Sequence, residues 1–63
     1  MDYIETINGL LYMTDWDANR DFVAQVIVEL IEDGELYEDN RVLLDEDEEM
    51  SSFVDHLLKE RQY

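Results

Sequence analysis

A chain of 63 residues with 18 acidic and 4 basic side chains carries a formal charge of −14, and it contains neither cysteine nor proline. That charge argues against direct binding to nucleic acid or to an anionic membrane, and the missing cysteine rules out a disulfide framework or a thiolate metal site. With 46% hydrophobic residues the composition is too apolar for a disordered acidic tail, so it predicts one folded domain, 1–63, with a thin margin of stability.

The first residues, Met1 to Glu5, lack the basic start and apolar run of a signal peptide, and no stretch reaches the roughly 18 apolar residues of a membrane span. A cytoplasmic protein is expected. Tyr3, Ile4, Ile7, Leu10 and Leu11 recur at helical spacing and predict a first helix over 2 to about 12, with an alternative break at Gly9 that would leave Leu10 to Met13 as a short strand. Thr14 followed by Asp17 resembles an N-terminal capping arrangement, which starts the second helix near Asp15. In that helix Phe22, Val23, Val26, Ile27, Leu30 and Ile31 form the apolar stripe, and Gly34 is placed to stop it.

Residues 35–44 are ambiguous. Leu36, Tyr37, Val42, Leu43 and Leu44 could flank a turn at Glu38 to Arg41 as a hairpin, or pack as irregular connection. A third helix follows, capped by Asp45 or Asp47, with Met50, Phe53, Val54, Leu57 and Leu58 on one face and Lys59 and Arg61 near its end. The expected fold is mostly α, a small three-helix domain with a possible short β-hairpin between helices 2 and 3. With the hairpin present the order resembles a winged helix, but a nucleic-acid-binding version would need Lys and Arg where this chain has Asp and Glu.

Little in the sequence suggests catalysis or a cofactor. Asp15, Asp17, Asn19 and Asp21 alternate as in the first half of a calcium-binding EF-hand loop, yet Arg20 stands where the loop needs glycine and Val26 where it needs the closing glutamate. His56 has no cysteine, serine or second histidine arranged around it, and paired carboxylates need a desolvating pocket that a domain this small can hardly build. The expectation is no enzyme, no resident metal and no cofactor.

The charge pattern speaks to partners instead. Between Glu29 and Glu49 the chain places 11 carboxylates against one cation, Arg41. A net charge of about 2 to 8 is enough to keep a small domain soluble, so the excess suggests use. Glu29, Glu32, Asp33, Glu35, Glu38, Asp39, Asp45, Glu46, Asp47, Glu48 and Glu49 are the candidate partner-binding acids, with Tyr37 as an aromatic contact among them. Carboxylates at i and i+3 or i+4 on a helix lie about 5–6 Å apart, commensurate with phosphates along a strand.

In size and charge the chain is similar to phage-encoded inhibitors of restriction, CRISPR nucleases, DNA repair or host polymerase, a likeness of composition that covers no motif. It implies a small inhibitor that occupies the basic, nucleic-acid-binding surface of a target protein. A second reading is a docking or regulatory subunit whose apolar helix face, with Tyr37 or Trp16, enters a groove. Tyr3, Tyr12 and Tyr63 add to the amphipathic side chains available, and a homodimer is compatible with either reading. An acidic calcium-responsive module is the third, with no closing loop to support it.

Overall fold

The computed structural model describes residues 2–61; Tyr63 lies outside them. Four helices follow one another: α1 (Tyr3–Met13), α2 (Arg20–Asp33), α3 (Glu38–Glu46) and α4 (Glu48–Glu60). No strand occurs among the described residues, so the fold is helical throughout.

α1 runs through Gly9 without a break, and Asp2 caps it by accepting a hydrogen bond from the Ile4 amide at 3.0 Å. Its inward face matches the apolar spacing in part, with Leu11 buried and Ile4 and Ile7 half-buried against the core. Asn8 and Leu11 are buried, whereas Tyr3 and Leu10 are exposed. The Thr14 hydroxyl bonds back to the Leu10 carbonyl and so closes α1 rather than opening α2. Asp15 supplies the missing cap, its carboxylate accepting from the Asp17 and Ala18 amides at 3.0 and 3.2 Å. That turn delays α2 to Arg20, five residues beyond the expected start.

α2 ends as expected. Gly34 adopts φ 71°, and the Gly34 and Glu35 amides bond to the carbonyls of Ile31 and Leu30, an arrangement that satisfies carbonyls otherwise left open at the helix end. The buried face of α2 is Val23, Ala24, Ile27, Val28 and Leu30, while Val26 and Ile31 are half-buried and Phe22 is 63% exposed. The expected stripe is therefore rotated toward Ala24 and Val28. Two stripes overlap in this sequence, and the small Ala24 hid the one that packs against α4.

Residues 38–46 form α3 where a hairpin was possible. A tight hairpin needs residues at positive φ, and the span Glu38 to Arg41 holds no glycine to supply them. Glu38 and Asp39 instead suit the positive end of a helix dipole, and Asn40 and Leu44 fall one helical turn apart on its buried side. With no strand there is no wing. Asp47 then ends α3 and caps α4, its carboxylate accepting from the Met50 amide at 3.0 Å. The third expected helix is thus the fourth observed.

Two arginines fix the helix directions. Arg20, at the start of α2, lies 3.0 Å from Glu49 at the start of α4, and Arg61, just past the end of α4, bonds to Glu29 and Glu32 late in α2. α2 and α4 therefore run side by side in the same direction, and α3, packed on α4 and α1, carries the chain back from the end of one to the start of the other. The core they share holds Val23, Ala24, Ile27, Val28, Leu30, Leu44, Met50 and Val54, joined by Leu11 from α1.

A buried polar clasp holds α1 to the rest. The Asn8 side chain, 2% exposed, donates to the carbonyls of Ile4 and Glu35 at 2.9 and 3.0 Å and accepts from the Tyr37 amide at 2.9 Å. Asn40, 1% exposed, donates to the Asn8 backbone carbonyl and to Asn8 Oδ1 at 3.0 and 3.1 Å. The two asparagines lie 32 residues apart in sequence, and between them they position the 35–37 link and the first turn of α3 against α1.

Candidate acidic surface

The fold divides the predicted acids into those it uses and those it leaves to solvent. Glu29 and Glu32 are bound by Arg61, whose hydrogen bonds to Glu32 and Glu29 raise its pKa above the ordinary arginine value. Glu49 is bound by Arg20, which also reaches Asp17 at 3.2 Å. Asp47 is spent on the α4 cap. These four belong to the architecture first.

Asp33, Glu35, Glu38, Asp39, Asp45, Glu46 and Glu48 are exposed and have no ion-pair partner among the described residues. Asp33 stands at the end of α2, and the others follow the length of α3. Helical geometry sets Glu38 and Asp45 on one line and Asp39 and Glu46 on a second line beside it, each pair about 10 Å apart along the axis. Val42 lies between the two lines, and Arg41 flanks the first. Glu35 precedes the helix and Glu48 follows it, so the acids continue past both ends.

Tyr37 sits where this surface meets α1 and is 42% exposed. Partial burial, and after it the carboxylates of Asp2, Glu5 and Glu35, push its phenol above the ordinary tyrosine pKa. Asp2 and Glu5 are thereby added to the acids expected from the 29–49 stretch. No local signal could have placed them there, because the start of α1 meets Tyr37 through contacts distant in sequence, the Asn8–Asn40 clasp among them. Glu5 and Asp39 stand with Gly9, Tyr12, Met13, Tyr37 and Asn40 around a cleft of about 280 Å³ between α1 and α3.

Trp16 is half-buried, and its indole Nε1 donates to the Leu11 carbonyl at 3.0 Å. It completes the α1–α2 corner and is poorly placed as an anchor for a partner. The exposed apolar groups lie elsewhere: Tyr3, Leu10 and Met13 recur along the outer side of α1, with Met13 86% exposed, and Phe22 opens α2.

Of the residues that resemble half an EF-hand loop, Asp15 is engaged by backbone amides and Asp17 by Arg20. Among the described residues no three His, Cys, Asp or Glu side chains are grouped to hold a metal ion. His56 is exposed and lies 3.0 Å from Glu60. No helix of the described residues is long and apolar enough to cross a membrane.

So unbalanced a surface should resist compaction, because the two arginine networks offset only part of the repulsion among the remaining carboxylates. Raising sodium chloride from about 20 mM to about 500 mM is expected to raise the melting temperature, by about 4–8 °C for each kcal/mol of repulsion screened. A thermal melt followed by circular dichroism checks this. A fall would mean that the arginine bridges outweigh the repulsion.

The chain matches no protein-family model, and neither a curated protein nor a solved structure shows significant similarity to it.

Proposed function

We propose that this protein is an acidic inhibitor that binds the basic, nucleic-acid-binding surface of another protein, its carboxylates standing where phosphates would lie, in the manner of phage anti-defence or host-takeover proteins. The observation that carries the reading is the pair of carboxylate lines on α3, Glu38 with Asp45 and Asp39 with Glu46, exposed and without ion-pair partners among the described residues. Such a surface steers association with a basic partner electrostatically and makes the affinity depend steeply on salt. The partner-binding set under this reading is Asp33, Glu35, Tyr37, Glu38, Asp39, Asp45, Glu46 and Glu48, with Glu29, Glu32, Asp47 and Glu49 contributing charge from positions the fold already uses. No catalytic role is assigned.

Replacing Glu38, Glu46 and Glu48 with glutamine tests this. The triple variant should stay folded and melt within a few degrees of the parent, since it touches no cap side chain or arginine bridge and the repulsion it removes offsets the lost dipole contacts of Glu38 and Glu48. It should also bind a partner captured from a bacterial lysate at least about tenfold more weakly, read by titration calorimetry. Arg41→Gln, which removes the cation beside the first line, should move the affinity the other way. Unchanged affinity in the triple variant would remove these carboxylates from the interface.

A second reading rests on a different observation. Tyr3, Leu10 and Met13 leave the outer side of α1 apolar, and an exposed face of that kind suits a docking or regulatory subunit or a homodimer. Tyr3→Glu with Leu10→Glu distinguishes the two, because neither residue borders the α1–α3 cleft, so the change should abolish docking through α1 and leave binding through α3 intact.

A further inference from the structure

We propose that the cleft between α1 and α3 accepts one arginine side chain of the basic partner, its guanidinium lying between Tyr12 and Tyr37. The inference rests on the reading of that partner as a basic protein and deepens it by naming the contact.

Four observations converge on this cleft. Its volume of about 280 Å³ is slightly below the roughly 300–1,000 Å³ typical of small-molecule sites, and is suited to a single side chain. Two phenol rings line it and the carboxylates of Glu5 and Asp39 border it, both groups that attract a cation. Asn40, also part of the lining, is 1% exposed, and its Oδ1 has no hydrogen-bond partner and almost no accessible surface, a buried acceptor that a donor in the cleft reaches once the Asn40 side chain shifts.

The fourth is Gly9. A glycine inside a helix weakens it relative to alanine, and here neither a positive φ nor a close neighbour calls for one. A Cβ built at Gly9 meets nothing within 4 Å, and Gly9 lines the cleft. The missing side chain therefore serves no packing need of the chain itself, and it leaves this stretch of the cleft wall bare.

The neighbouring hollow at the α1–α2 corner offers no comparable site. It also has acids in its lining, but Asp15 and Asp47 are bound to backbone amides and Asp17 to Arg20. A guanidinium suits the α1–α3 cleft better than an ammonium. It is planar enough to stack on a phenol ring, less strongly hydrated, and carries five donors for acceptors that lie in different directions.

The test is a titration of the isotope-labelled full chain with a short acetylated peptide containing one arginine, followed by amide NMR shifts, beside citrulline and lysine versions of the same peptide. The arginine peptide should shift Gly9, Tyr12, Tyr37 and Asn40 saturably, with the other two at least about fivefold weaker. Gly9→Leu fills the cleft and should weaken arginine binding at least about tenfold while the melting temperature holds or rises. Should Gly9→Leu lose its melting transition, Tyr12→Leu probes the same cleft and should show the same loss of binding. Shifts confined to Glu38–Glu48, equal binding of the lysine peptide, or binding unchanged in the filled variant would each overturn the inference. Partner capture that persists in Gly9→Leu but fails in the α3 glutamine variant would overturn the cleft alone and leave the inhibitor reading standing.

Discussion

Asn8→Ala is expected to lower the stability of this protein by about 2–4 kcal/mol, because the change orphans two buried backbone groups of the 35–37 link and takes one acceptor from Asn40. The Glu35 carbonyl and the Tyr37 amide both bond to the Asn8 side chain, which also accepts from Asn40. The whole domain is expected to have roughly 3–9 kcal/mol at its disposal, so the variant should lose between a quarter of its stability and all of it. Asn40→Ala should cost distinctly less. It removes two donated bonds, but Asn8 Oδ1 keeps the Tyr37 amide, and the unpartnered Asn40 Oδ1 disappears with the side chain. Urea denaturation of the two variants checks the order. Equal losses, or a larger one for Asn40, would mean that the clasp is not organised around Asn8.

The larger effect is expected in the core between α2 and α4. Ile27 and Val54 are 0% and 1% exposed, and an aspartate at either would be an unpaired charge with no route to water. A loss above about 4 kcal/mol follows, enough to abolish the cooperative transition of a domain this small. Val26 and Leu57, which the apolar spacing alone would also select, are only half-buried, and an aspartate at either can reach solvent. Circular dichroism should show Ile27→Asp and Val54→Asp unfolded at 25 °C, with Val26→Asp and Leu57→Asp folded but weakened. A cooperative melt for Ile27→Asp would contradict the packing of α2 against α4.

These two predictions also mark where sequence reading succeeds and fails here. Gly34, and Asp47 as one of two candidate caps, were legible because a helix stop and a helix cap are local chemistry, complete within a few residues. α3 was not, because its sequence is short and its register depends on Asn40 meeting a residue 32 positions away. Two buried asparagines read as turn formers or surface residues until the fold pairs them. Phe22 was misplaced because two apolar stripes overlap on α2, and the buried one runs through Ala24 and Val28.

For the acidic surface the density was legible and its partition was not. Nothing near Glu29, Glu32 or Glu49 in sequence says that an arginine some 30 residues away will occupy them, and a fold is needed to bring Arg61 and Arg20 to them. Asp2 and Glu5 joined Tyr37 by the same kind of long-range pairing. Charge density can be summed from a sequence, whereas the charge available to a partner depends on which cations the fold has already placed.

The central claim, that carboxylates along α3 stand in for phosphates, is tested most directly by competition. The tagged protein is used to capture partners from a bacterial lysate at about 50 mM salt, and the bound fraction is then challenged separately with duplex DNA and with about 500 mM salt. The account predicts a basic nucleic-acid-binding protein that both challenges release. A partner that survives high salt and ignores DNA would contradict it, and would shift the interface from the acids of α3 to the apolar outer side of α1.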